Sequence, residues 1–143
     1  MLEKERNKKI LIRKGIKIVF VVILVVLAQQ FFFKNKTIGD EITPMVENYN
    51  KACPMMISED ICMESVNALP ENTVQYDFTL VRVQKENIDV NALKKSVEKE
   101  ILSSSKTNPS LEAFRNNSST VVYIYRDKNQ KSLFKVVLTP EMY

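Results

Sequence analysis

Thr73-Val74-Gln75-Tyr76-Asp77-Phe78-Thr79-Leu80-Val81-Arg82-Val83 is the stretch on which the fold turns. Val74, Tyr76, Phe78 and Leu80 alternate with Gln75, Asp77 and Thr79, the period of a strand with one face on a core. The alternation slips at Leu80-Val81, after which Val81 and Val83 carry the apolar side. The slip predicts a bulge there, or a strand covered on both faces.

Toward the C-terminus, Val90, Leu93, Val97 and Ile101 repeat at helical spacing, a single stripe for one core. Asn87 or Asp89 can cap this helix, Lys94-Lys95 and Glu98-Lys99-Glu100 form its wet face, and Ser103-Ser104-Ser105 ends it. Asn108-Pro109 starts a short further turn carrying Leu111 and Phe114. Residues 120–126 and 132–138 read as two strands joined by the polar loop Asp127-Lys128-Asn129-Gln130-Lys131, and Pro140 stops the last one. Toward the N-terminus, Leu69-Pro70-Glu71-Asn72 is a turn. Met55-Met56-Ile57 and Ile61-Cys62-Met63 read as short strands around Ser58-Glu59-Asp60, the second reaching about Val66. A first helix starts with Thr43 as N-cap and Pro44 in its first turn, or earlier at Ile38 or Asp40. Met45, Val46, Tyr49 and Ala52 give it an apolar face, and Pro54 stops it at Cys53. The order is α-β-β-β-α-β-β. It predicts an α+β domain with a mainly antiparallel sheet and helices on one face.

Ahead of this domain lies Ile18-Val19-Phe20-Val21-Val22-Ile23-Leu24-Val25-Val26-Leu27-Ala28, an unbroken apolar run. Extended to residues 16–33 it rises roughly 27 Å as a helix, close to a hydrocarbon core of about 30 Å. Lys17 can snorkel at one end, and Gln29 and Gln30 fall near the other interface. We therefore expect a membrane anchor with Ile18, Phe20, Leu24 and Leu27 facing lipid. A cleaved signal peptide ending near Val26-Leu27-Ala28 is the alternative. A type IV pilin leader does not fit, because Phe20 stands where that pattern needs Glu. Seven Lys/Arg precede the run, and Lys34 and Lys36 follow it closely. The positive-inside rule then puts the N-terminus in the cytoplasm. The expected organisation is a basic cytoplasmic tail over 1–15, a transmembrane helix over 16–33, a connector over 34–40 and an exported domain over 41–143. The expected location is the bacterial inner membrane, single-pass, with the C-terminal domain periplasmic or extracellular.

The 143-residue chain has a net charge of +4. Its basicity is local: residues 1–33 hold seven basic and two acidic groups, and the remainder holds fourteen basic and fifteen acidic. The tail suits anionic lipid, and the domain shows no basic stripe in sequence that would fit nucleic acid. The chain has no His, which removes the usual general base and a common metal ligand. Gly15 and Gly39 are its two glycines, too few for a phosphate-cradling loop. No cofactor, metal site or catalytic set is read from the sequence.

Cys53 and Cys62 are the residues closest to chemistry. They can close a small disulfide loop on an oxidising side of the membrane, or pack as buried thiols. Cys53 as a nucleophile would lack any evident base. Met45, Met55, Met56 and Met63 can fill a core or, in a rarer use, hold copper. Tyr76, Tyr123 and Tyr125 are strand aromatics that serve either packing or an interaction face. Asn35, Asn116 and Asn117 head glycosylation triplets that matter in a eukaryotic secretory pathway.

Asn50-Lys51-Ala52-Cys53-Pro54-Met55-Met56-Ile57 resembles an Asn-Lys-x-Cys-Pro-hydrophobic signature. Tyr125-Arg126-Asp127-Lys128-Asn129, followed by Lys135-Val136-Val137-Leu138-Thr139-Pro140-Glu141, is similar to its ending. Both belong to a group of small uncharacterised bacterial envelope proteins with an N-terminal membrane segment or signal. The resemblance spans roughly residues 41–143 and implies a bacterial, exported protein. In that pattern Cys53 is the expected cysteine and Cys62 is an addition.

Together these readings predict a membrane-anchored protein-interaction domain rather than an enzyme. Its partners would be lipid through the N-terminal helix and a protein, such as other envelope or secretion machinery or an exported toxin. A periplasmic module for a small ligand or lipid is the alternative, which a closed apolar cavity between the sheet and the Val90–Ile101 stripe would favour. A thiol enzyme using Cys53 is the third reading.

Overall fold

A computed structural model describes residues 39–143. The expected tail, the anchor at Ile18, Phe20, Leu24 and Leu27, and nearly all of the connector lie outside the described residues. Among the described residues no helix is long and apolar enough to cross a membrane.

The elements are α1 (Ile42–Ala52), β1 (Met55–Met56), β2 (Ile61–Leu69), β3 (Thr73–Leu80), α2 (Val90–Ser105), α3 (Glu112–Asn116), β4 (Thr120–Asp127) and β5 (Ser132–Leu138). The five strands form one sheet in the order β1-β2-β3-β4-β5. Three neighbouring pairs are antiparallel, and the pair β3 and β4 is parallel. A parallel pair needs a long crossover, and α2 and α3 supply it between Leu80 and Thr120. The α+β class and the mainly antiparallel sheet agree with the sequence reading.

Local boundaries correct that reading in several places. Glu41, not Thr43, holds the N-cap position of α1, and Thr43 is already helical. β2 runs on to Leu69, because all of its residues but Glu64 find a partner in β3. β3 ends at Leu80 without a bulge; Asp77, Phe78, Thr79 and Leu80 are all buried, so its end is covered on both faces, the other outcome the slip allowed. Val81 N still donates to Asp60 O at 3.0 Å, but Val83 N turns back to Leu80 O at 3.1 Å. The ladder irregularities fall elsewhere, between Met63 and Ser65 and between Tyr125 and Arg126. Asp89 caps α2, its carboxylate accepting from Asn91 N and Ala92 N at 3.0 Å each.

Strand alternation sorts the two sheet faces. Val74, Tyr76, Phe78 and Leu80 of β3 share a face with Val121, Tyr123 and Tyr125 of β4. Tyr76 meets Tyr49 of α1 and Phe114 of α3 edge-on, at centroid distances of 6.4 and 6.3 Å. Leu93, Val97 and Ile101 of α2 pack against the same core. Both long helices therefore cover one face, as expected. The opposite face carries Gln75, Asp77 and Arg126. Asp77 is buried there, with Arg126 Nη1 at 3.0 Å from one carboxylate oxygen. Gln75 Nε2 and Ser65 Oγ donate to the other at 2.9 and 3.2 Å.

Asn72 anchors one end of the core. It sits at φ 54°, a left-handed conformation that Asn tolerates better than most residues. Its Nδ2 donates to Asn117 O at 2.8 Å, and its Oδ1 accepts from Ser119 Oγ at 2.9 Å. Gly39 lies against the same corner: a Cβ there would fall 2.1 Å from Asn117 Oδ1. Any side chain at Gly39 would require the Asn117 amide to move from its bonds to Ala113 O and Glu41.

Candidate functional site

The helices cover their face unevenly. Eleven residues make α1 about 16 Å long, whereas the sixteen of α2 span about 24 Å. Helix α1 stops where Cys53-Pro54 turns the chain into β1; this peptide bond is cis. At the end where β3 and β4 begin, α3 fills the space between the helices. Phe114 is fully buried there. Arg115 Nη1 ties α3 to α2 through Ser105 O at 2.7 Å, and Asn117 Nδ2 reaches Glu41 of α1 at 3.3 Å.

At the opposite end, where β3 and β4 finish, no such plug exists among the described residues. A cleft of about 620 Å³ opens there. Its floor is Ile61, Leu80, Val83 and Tyr125, and its wall is Leu93, Val97 and Ile101 of α2. Asp60, Arg82, Glu100 and Ser104 complete the lining. No residue of α1 lines it. An apolar floor with a few charged groups at the rim is the usual build of a binding cleft. This one is open to solvent rather than closed.

Tyr125 is the most elaborate group in the cleft. Its ring stacks on Phe134 at 4.8 Å and lies 5.3 Å from Phe78. Burial, and then the nearby Glu100 carboxylate, push its hydroxyl up to about 12. The group stays protonated at neutral pH. At the rim, Arg82 pairs with Asp60 at 3.1 Å and Glu59 at 3.6 Å. All three are exposed, so these pairs contribute little to stability and leave Arg82 free to exchange partners.

The other residues singled out in sequence are distributed as follows. Tyr76 and Tyr123 lie on the helix-covered face in the aromatic row with Phe78, and burial raises both hydroxyls. They do not line the cleft. Cys53 and Cys62 are free thiols, and the ladder sets Met56, not Cys53, opposite Cys62. Burial raises both thiols, and the Glu64 carboxylate raises them further. This is the reverse of what activates a nucleophilic cysteine. Met63 belongs to the core, whereas Met56 is 52 % exposed. Among the described residues no group of three or more acidic, Cys or His side chains is arranged to hold a metal.

Asp127 is a structural group. It is fully buried at the end of β4 and accepts from Lys85 N, Asn129 N and Lys131 N at 3.0, 2.8 and 2.9 Å. Burial pushes its carboxyl up, and the three backbone donors more than reverse this, leaving it below its ordinary value. It thereby fixes the segment after Arg82 beside the cleft. The sequence reading places a possible cavity between the sheet and the Val90–Ile101 stripe and puts Glu100 on the wet face of the helix, but it does not single out Arg82 or Leu80 as lining. The available signal was the slip at Leu80-Val81, which marks the place where the strand leaves the sheet.

The family model described as Domain of unknown function (DUF8479) matches residues 40–134. No curated protein matches the chain in sequence. Among solved structures, a Pseudomonas aeruginosa protein described as secreted is 16% identical, with a TM-score of 0.55, over 71% of this chain and 92% of its own. The type II secretion system pilotin AspS of Vibrio cholerae is 9% identical, with a TM-score of 0.51, over 70% of this chain and 86% of its own. At such identities the likeness is one of fold.

Proposed function

The chain belongs to the family described as Domain of unknown function (DUF8479), and from that premise we propose that it is a protein-interaction module of the bacterial envelope. The open cleft between α2 and the sheet carries this reading: it is an apolar trough of about 620 Å³ with Arg82, Asp60 and Glu100 at its rim. An open trough suits a segment of another protein that enters from the side. A closed cavity would suit a small ligand or lipid better. The shared fold with a secreted protein and with a secretion-system pilotin supports an accessory role in secretion or envelope machinery. The Asn50–Ile57 signature and the basic flank of the apolar run support a bacterial inner-membrane protein with this domain on the exported side. A membrane-anchored immunity protein fits the same features. Thiol chemistry is disfavoured, because the surroundings of Cys53 and Cys62 keep them protonated.

Photo-crosslinking in cells tests the cleft. A crosslinker at Val97 is expected to capture one discrete partner, and Ile101→Glu in the same chain is expected to abolish that adduct. A crosslinker at the exposed Lys128 is the control. Equal labelling from both positions would refute the cleft as the docking site.

A further inference from the structure

The outer ridge of α2 carries a row of lysines set by helical spacing. Lys95, Lys99, Leu102 and Lys106 are spaced so that they share one side of the helix, opposite the stripe of Leu93, Val97 and Ile101. Lys95, Lys99 and Lys106 are exposed, and Leu102 between them is 45 % exposed. None of the three lysines forms a salt bridge among the described residues. The acidic residues of α2 stand aside. Glu98 pairs with Lys94 at 3.6 Å, and Glu100 lines the cleft. The sequence reading of a domain without a basic stripe is therefore corrected: the stripe exists, spread over twelve positions from Lys95 to Lys106.

Its setting makes the stripe informative. Residues 39–143 hold twelve Lys/Arg and fifteen Asp/Glu, so the domain as a whole is repelled by an anionic surface. We propose that the ridge Lys95-Lys99-Leu102-Lys106 docks on the surface of an anionic lipid bilayer. A straight ridge about 16 Å long suits a flat surface. Three exposed cations suit contact with anionic headgroups, and the exposed Leu102 between them can reach toward the acyl boundary. Each lysine near such a surface adds roughly a factor of five in partitioning. Three together bind on the order of a hundredfold more tightly to anionic than to neutral lipid. The repulsion of the remaining surface makes this ridge the preferred point of contact. Contact there would keep the cleft, on the inner side of α2, turned away from lipid. The proposal does not depend on what enters the cleft.

The chain has no Trp, so Leu102→Trp places a single reporter on the ridge. The full-length variant is reconstituted in nanodiscs of phosphatidylcholine, alone or with about 30 % phosphatidylglycerol. Co-elution with the discs reports attachment of the chain separately from the state of the ridge. With the anionic discs, the indole emission of this variant is expected to shift to the blue and to be quenched by brominated acyl chains. Both effects should vanish at about 0.5 M salt and in the variant that adds K95E, K99E and K106E. Circular dichroism checks that this variant keeps its fold. Emission that is the same on both discs overturns the proposal, as does a shift that survives the triple reversal. A shift produced by soluble polyglutamate but not by anionic discs assigns the ridge to an acidic protein and also overturns it.

Discussion

The two ends of the helix-covered face are built from the same sheet and the same pair of long helices, yet one is closed and the other open. Where β3 and β4 begin, Phe114 is fully buried, and Asn72, Ser119 and Asn117 lock its helix in place. Where they end, Leu93, Val97 and Ile101 stay partly exposed beside a cleft. Helix length accounts for the difference. α1 stops at Ala52, so one end has two helices and a short third one, and the other has α2 alone. A domain this small has few ways to leave apolar surface uncovered without losing stability, because its core is small. Ending one helix early and plugging the far end with an aromatic ring achieves it.

The comparison can be broken most strongly at the plug. Phe114→Ala is expected to lower unfolding free energy by about 3–5 kcal/mol, read by urea denaturation, because the surrounding strands cannot collapse onto the void. The lock should matter next. Asn72→Ala removes the donor to the part-buried Asn117 O and the acceptor for the buried Ser119 Oγ, and is expected to cost about 1–3 kcal/mol in the same assay. At the open end, Val97→Phe adds volume to space that is already empty. Its stability should change by less than about 1 kcal/mol, whereas the crosslinked partner adduct should be lost. A large destabilisation by Val97→Phe would mean that the cleft is part of the core.

Acid gives the subtlest contrast. The folded Asp127 carboxyl lies below its ordinary value. Its contribution is complete above the unfolded value and is lost as pH falls through the folded one. Thermal unfolding between pH 7 and pH 3, about the carboxylate range, should therefore show wild type and Asp127→Asn converging on the acid side, with wild type more stable at neutral pH. Parallel curves would remove Asp127 as the clamp beside the cleft.

Much of this was legible in the chain. The stretch from Thr73 announced a half-buried strand, and Val90, Leu93, Val97 and Ile101 announced the helix that packs on it. Asp89 as a cap and Phe114 as an apolar member of a short turn were also visible, because local rules govern them. The parallel pairing of β3 with β4 was not. Alternation says which face of a strand is buried and nothing about the direction of its neighbour. The role of Leu80 and Tyr125 in a cleft was equally hidden, since a core stripe and a cleft wall have the same spacing.

Residue order by itself determined the α+β class, the order of elements, the early stop of α1 at Pro54 and the spacing that lines up Lys95, Lys99 and Lys106. Each depends on neighbours within a turn or two, where backbone geometry leaves little choice. The tertiary structure alone decided which end of the face Phe114 would fill, that Met56 would stand opposite Cys62, and that Arg82 and Glu100 would line one cleft with Leu80. Those outcomes depend on contacts between segments distant along the chain, and periodicity carries no information about them.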